Sequence, residues 1–159
     1  MDALKDLREV MACPCLRIRR ASRHITQLYD HVLAEVGLTA NQFGLLAYLF
    51  RAATSESGGL SIGHLAEQAG VDPTTLNRNL KPLKAKGLTA DAADAADSRV
   101  RVVSITKKGQ TVLQKAFPLW RKARKEVEMA LGASELSRLN ELLDLAASEV
   151  RRLGEDRAG

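Results

Sequence analysis

Cysteine is nearly absent from this chain of 159 residues; the two present, Cys13 and Cys15, are separated only by Pro14. Two thiols so close together cannot build the disulfide framework of a small secreted domain, which leaves redox or metal chemistry as their chemical options. Long apolar runs are also missing: none approaches the roughly 18 residues needed to span a bilayer. The first residues lack the ordered basic, apolar and small-residue regions of a secretory leader. The expectation is a cytoplasmic protein with no membrane partner. A Gly-rich phosphate loop, H-E-x-x-H and G-x-S-x-G are absent as well, and no acid and base stand at a spacing that suggests catalysis. The chain is therefore expected not to be an enzyme and to carry no cofactor and no bound metal.

What is present in excess is positive charge, a formal +5 with an isoelectric point near 9.5. An excess of this size favours an anionic partner but also occurs in ordinary soluble proteins, so its position matters more than its sum. Residues 72–86 carry Arg78, Lys81, Lys84 and Lys86 against a single acid, Asp72. On a helix they would form a stripe able to displace counterions from phosphates. The plain alternative is a solvated face.

Hydrophobic periodicity predicts a first strong helix from about Cys15 to Val36, with Ile18, Ile25, Leu28, Val32 and Val36 on one side and Gly37 as its stop. Thr39 and Gln42 have the spacing of a capping box. Phe43, Leu46, Ala47 and Phe50 then follow the i, i+3, i+4, i+7 pattern of a buried face, predicting a helix over 40–53. Ser61 is a good N-cap for a short helix ending at Gly70. Asp72 caps the next, with Pro73 at the first helical position, where its missing N–H costs nothing. Leu65, Ala66 and Ala69 on one helix and Leu76, Leu80 and Leu83 on the other would hold the pair as a helix-turn-helix. Pro82 should kink or shorten the last turn and leave Lys84 to Gly87 irregular.

Arg99, Val100, Arg101 and Val102 alternate basic with apolar, the period of a half-buried strand, and a weaker strand at 88–92 can pair with it around a "DAADSR" tip. A long helix is expected from Thr106 to about Leu131, and a last one after a Ser134 cap. In that last helix Leu136, Leu139, Leu143, Ala146, Val150 and Leu153 are spaced like the a/d seam of a coiled coil. Such a stripe either packs on its own domain or pairs with a second copy; a twofold protein matches twofold operator DNA, which favours the dimer. The fold expected is mainly α: a winged helix-turn-helix over residues 37–106, with residues 1–36 and 107–159 as a helical dimerisation region. Few functions other than reading DNA require this order of elements.

The chain resembles the MarR family of winged-helix transcription regulators. The likeness lies in "GLTANQFGLLAYL" before the helix pair, "LAEQAGVDPTTLNRNLKPLKAKGL" within it, "DAADSR" at the wing and "ITKKG" at the start of the fifth helix. It implies a homodimer on pseudo-palindromic promoter DNA, usually a repressor, released by a small aromatic ligand or an oxidant. Thr74, Thr75, Asn77 and Arg78 match the recognition-helix positions that face the major groove. Their chemistry agrees, since Arg can bond guanine in bidentate fashion and Asn can pair with adenine. Lys81 is better placed for phosphate. Asp97 and Arg99 match the wing's D-x-R pattern, in which the acid orients an arginine for the minor groove; Arg101 follows on the same strand. Asp91 and Ser98 depart from the family, which commonly has basic residues there, so the wing should hold the backbone more weakly.

Cys15, just after Pro14 at a helix start and near Arg17 and Arg19, has the setting that stabilises a thiolate, which is where oxidation to sulfenic acid begins. It also falls where the organic-hydroperoxide-sensing members of the family keep their reactive cysteine. Tyr29 matches one of the two tyrosines that contact it, whereas Ala40 stands at the second. Cys13 could resolve an oxidised Cys15. An inert, buried Cys15 is the alternative, and the Cys13-Pro14-Cys15 pair could instead bind Cu(I). An aromatic effector would sit between the first two helices and the helix-turn-helix, lined by Arg23, Tyr29 and Phe43. His24, His31 and His64 form no ligand pattern. Two other classes remain open: a peroxide-consuming thiol protein in which Cys15 turns over, and a winged helix used for protein contacts.

Overall fold

Local signals at helix ends set the chain's turns, as the computed structural model shows for the residues it describes, 3–54, 58–93 and 100–156. The described elements run in the order α1 (Ala3–Met11), α2 (Pro14–Leu33), a 3-10 turn (Ala34–Val36), α3 (Ala40–Ala53), β1 (Leu60–Ser61), α4 (Ile62–Ala69), α5 (Pro73–Ala85), β2 (Thr89–Ala93), β3 (Arg101–Ile105), α6 (Lys107–Leu131) and α7 (Ala133–Glu155). The fold is mainly α with a small sheet, a winged helix-turn-helix, as expected. Among the described residues no single helix is long and apolar enough to cross a membrane.

The caps of α3, α4 and α5 behave as the sequence reads. The Thr39 hydroxyl accepts from the Gln42 amide, and the Gln42 side chain accepts from the Thr39 N–H, closing the box that starts α3. Asp30 on α2 adds a second anchor there, its Oδ1 accepting from Ala40 N–H at 2.6 Å. Ser61 caps α4, which ends on Gly70 at φ 64°. Only that left-handed conformation lets the chain turn into α5 within two residues, and glycine adopts it without the Cβ penalty.

Several expectations need correction. A helix α1 precedes the first expected one; its apolar residues Leu4, Leu7, Val10 and Met11 are all exposed. α2 begins at Pro14 and ends at Leu33, and residues 34–36 tighten into the 3-10 turn before Gly37. Its fully buried residue is Leu33, off the predicted stripe. α5 continues through Pro82 to Ala85. The Lys86 N–H closes on the Pro82 carbonyl at 3.1 Å, and Leu80 and Leu83, buried on either side, clamp the turn. α7 starts at Ala133 with Gly132, not Ser134, in the capping position.

The expected ribbon is a three-stranded antiparallel sheet in the order β1-β3-β2. The extra strand is Leu60–Ser61, pairing with Val103 and Val102. The faces are also reversed. Val103 and Ile105 are buried, whereas Val102 is half-buried and Val100 exposed. Arg101 shares the inward parity but lies at the strand's outer end, beyond the core, so alternation at 99–102 points to the wrong side.

The chain divides into two units, Met1–Arg121 and Lys122–Gly159. The core of the first is aliphatic: Leu33, Leu46, Leu49, Leu65, Leu76, Leu80, Leu83, Val103 and Leu113 are fully inaccessible. Each such side chain contributes about 1.5–3 kcal/mol relative to exposure. Phe43 joins them, edge-on to Phe117 and stacked on Trp120 at centroid distances of 5.8 and 6.0 Å. The second unit comprises the end of α6 and all of α7, on which Leu143, Val150 and Leu153 of the apolar seam are exposed while Leu136, Leu139 and Ala146 are half-buried.

Candidate nucleic-acid interface

Helix α5 is amphipathic at helical spacing. Leu76, Leu80 and Leu83 are buried against the core, and Thr74, Asn77, Arg78 and Lys81, spaced 3, 1 and 3, are exposed on the other side. The helix is started by Asp72, whose carboxylate accepts from both the amide and the hydroxyl of Thr75 at 2.9 and 2.6 Å. Those bonds, the hydroxyl's first, hold the Asp72 carboxyl below its ordinary range. Thr75 is consequently half-buried and committed to the cap. Asn77 donates from Nδ2 to the Pro73 carbonyl at 3.0 Å; this uses one of the two amide hydrogens and leaves the other, with Oδ1, for a bidentate bond to adenine.

Four cations were expected along this helix, and they are in different states. Lys86 donates to the Gly37 carbonyl at 2.6 Å and serves as a tie to the start of α3. Lys84 is paired with Asp91 at 2.7 Å. Arg78 and Lys81 have no hydrogen bond or ion pair among the described residues, which leaves them available to an anion. On the sheet, Arg101 is largely exposed and lies 3.5 Å from the same Asp91 oxygen. Asp97 and Arg99, which follow β2 and precede β3 in the chain, lie outside the described residues.

The start of α6 braces this surface. The Thr106 hydroxyl donates to the Gly87 carbonyl at 2.8 Å and accepts from Gly109 N–H at 3.0 Å, while Lys108 reaches the Lys86 carbonyl. The phrase "ITKKG" is thus a clamp between the end of α5 and the sheet.

Other expected residues are not brought together. Arg23 is exposed on α2, Tyr29 packs at the edge of the core and Phe43 is inside it. A cleft of about 280 Å³ lies elsewhere, lined by Ala40, Asn41, Gly44, Leu45, Tyr48, Ala69, Val71, Thr75 and Asn79. Cys13 is half-buried in the capping position of α2 and Cys15 is exposed one residue past Pro14. Tyr29 is on the same helix, fourteen residues and so about 21 Å along, and cannot touch Cys15 of its own chain. Among the described residues no group of three or more His, Cys, Asp or Glu could hold a metal ion.

No protein-family model matches the chain. The fold is similar to that of a cysteine-to-serine variant of E. coli MarR complexed with operator DNA, at TM-score 0.75 and 24% identity over 87% of this chain and 95% of that one. The "HTH-type transcriptional repressor Rv2887" of Mycobacterium tuberculosis is 29% identical over 117 residues, 74% of this chain and 81% of the relative. The M. tuberculosis transcriptional regulator MosR, solved in complex with DNA, is 37% identical at TM-score 0.72, covering 87% of this chain and 98% of MosR. The chain belongs to the MarR family of winged helix-turn-helix regulators. As a MarR-family protein it has its helix-turn-helix on α4 and α5 and its wing on β2 and β3. What sequence reasoning missed in this MarR-type surface is the pairing of Asp91 with Lys84 and Arg101. Asp91 stands out in the sequence as an acid where the family commonly has a base, but its two partners emerge only from the packing of α5 on β2.

Proposed function

We propose that the chain binds double-stranded promoter DNA as a homodimer and represses transcription by occluding the promoter. The observation that carries this reading is the exposed face of α5, where Arg78 and Lys81 stand unpaired among the described residues beside Thr74 and Asn77. A helix so displayed fits the major groove, with Arg78 and Asn77 reading base edges and Thr74 and Lys81 fixing the backbone. Thr75 supports them by capping the helix, and Arg99, oriented by Asp97, enters the minor groove, with Arg101 following it along the chain.

Residues 37–106 act as the DNA-reading part, and residues 1–36 and 107–159 as the dimerisation part. Exposed apolar side chains on α1 and α2 (Leu7, Val10, Met11, Ile18) and on α7 (Val150, Leu153) support a second copy as their cover. A twofold dimer then selects a pseudo-palindromic operator with half-sites about one helical turn apart. Release by an oxidant would begin at the exposed Cys15, with Cys13 resolving it and Tyr29 supplied by the partner copy. A small aromatic effector near Arg23, Tyr29 and Phe43 is the other release route.

Sedimentation equilibrium and a duplex from upstream of its own gene test this reading together. The expected result is a dimer at micromolar concentration that binds the duplex with two half-sites protected, and a Val150→Glu/Leu153→Glu protein that is monomeric and binds weakly. A wild-type monomer, or a dimer with no preference over scrambled DNA, contradicts it.

A further inference from the structure

Asp91 lies on β2, directly across from Val103, on the sheet face that meets α5. Its side chain is 23% exposed, and one oxygen, Oδ2, is 2.7 Å from Lys84 Nζ and 3.5 Å from Arg101 Nη2. Lys84 is on the last turn of the recognition helix and Arg101 opens the returning strand of the wing. A carboxylate therefore occupies the place where a cation from the helix and a cation from the wing converge. Two unopposed cations so placed would form a ready phosphate site, since sequence-independent affinity for DNA comes from Lys and Arg displacing counterions. With Asp91 between them, the cluster carries one net positive charge, and Lys84 must exchange a short, partly shielded ion pair for each phosphate it meets.

We propose that Asp91 is a specificity-determining residue, an internal competitor for phosphate that holds Lys84 and Arg101 away from the DNA backbone. It trims the sequence-independent part of the affinity and leaves recognition to the base-reading face of α5. This rests on the DNA-binding reading of α5.

The test is fluorescence anisotropy of a random-sequence duplex over a salt series with four proteins: wild type, Asp91→Asn, Lys84→Met/Arg101→Met, and the triple variant, each checked for folding by circular dichroism. The expected result is that Asp91→Asn binds random DNA more tightly than wild type and steepens the slope of log K against log salt by about 0.9 for each additional phosphate engaged, one or two in all. In the Lys84→Met/Arg101→Met background the same change should do almost nothing. An unchanged slope, a loss of affinity on Asp91→Asn, or an equal gain in both backgrounds overturns the proposal, the last because it would reflect net charge alone. A wild-type protein whose binding is absent or indifferent to salt overturns the DNA-binding reading as well. The double background also decides the case in which Asp91→Asn is poorly folded: removal of Lys84 and Arg101 should then leave the wild-type salt slope nearly unaltered, and a slope that flattens by the equivalent of two phosphates overturns the proposal.

Discussion

The Thr75 hydroxyl donates to Asp72 Oδ2 at 2.6 Å while the Thr75 amide donates to Oδ1 at 2.9 Å. One carboxylate thereby starts α5 and fixes the Thr75 side chain in its first turn. Asp72→Ala should lower the melting temperature and weaken DNA binding, with Asp72→Asn retaining most of both, because Asn is an equally good N-cap. The carboxyl is held below its ordinary range by these bonds. Its contribution is therefore present in full above that range and is lost as pH falls through the lowered value. The melting-temperature gap between wild type and Asp72→Ala should be constant above about pH 5 and close in more acidic buffer. A gap that widens on acidification refutes the assignment.

Arg78 and Lys81 should fail differently. Arg78→Ala is expected to cost about 1–3 kcal/mol on a duplex selected from a random library and little on random DNA, since base contacts discriminate. Lys81→Ala should weaken both alike and flatten the salt slope by about 1. Parallel anisotropy titrations separate the two patterns.

Gly109, in the first turn of α6, tests the clamp. On helix propensity alone, alanine is better than glycine by about 0.5–1 kcal/mol. A Cβ at this position, however, would run into the Leu88 carbonyl and the Ile105 side chain. Backbone cannot yield as a flexible side chain can, and overpacking costs about 1–3 kcal/mol, so the steric effect wins. Gly109→Ala should melt several degrees lower by calorimetry; an equal or higher melting temperature would show that the approach is not tight.

Thr89 is 4% exposed, and its hydroxyl has no hydrogen-bond partner among the described residues. Leaving such a group unsatisfied costs about 1–3 kcal/mol. Thr89→Val keeps the β-branched shape that suits β2 and removes the hydroxyl. Chemical denaturation should show the variant to be as stable as wild type or up to about 1 kcal/mol more stable, with DNA binding unaffected. A loss of stability would mean the hydroxyl has a partner.

Much of the fold is legible where the signal is local. Thr39 with Gln42, Ser61, and Asp72 with Pro73 each mark a helix start by side-chain chemistry, and each start is where they put it. The face of α5 is legible for the same reason, because Leu76, Leu80 and Leu83 fix the phase and so fix which residues are left outside. What is not legible depends on residues distant in the chain. β1 is two residues long, too short for any alternation to register, and exists only because Val102 and Val103 pair with it. The inward side of β3 is set by Val103 and Ile105 meeting the core, which overrides the more regular pattern at 99–102. Helix α1 does leave a signal in the spacing of Leu4, Leu7 and Met11. Phe43 reads as an equally good pocket or core residue until Phe117 and Trp120 are seen against it.

Whether the exposed face of α5 reads DNA is decided by anisotropy of the purified protein on the duplex upstream of its own gene, against a scrambled duplex, over a range of salt. Tighter binding to the upstream duplex is expected, with log K falling linearly as log salt rises, by about 0.9 per phosphate engaged. Equal affinity for the two duplexes, or affinity that does not change with salt, would contradict a reading role for this face.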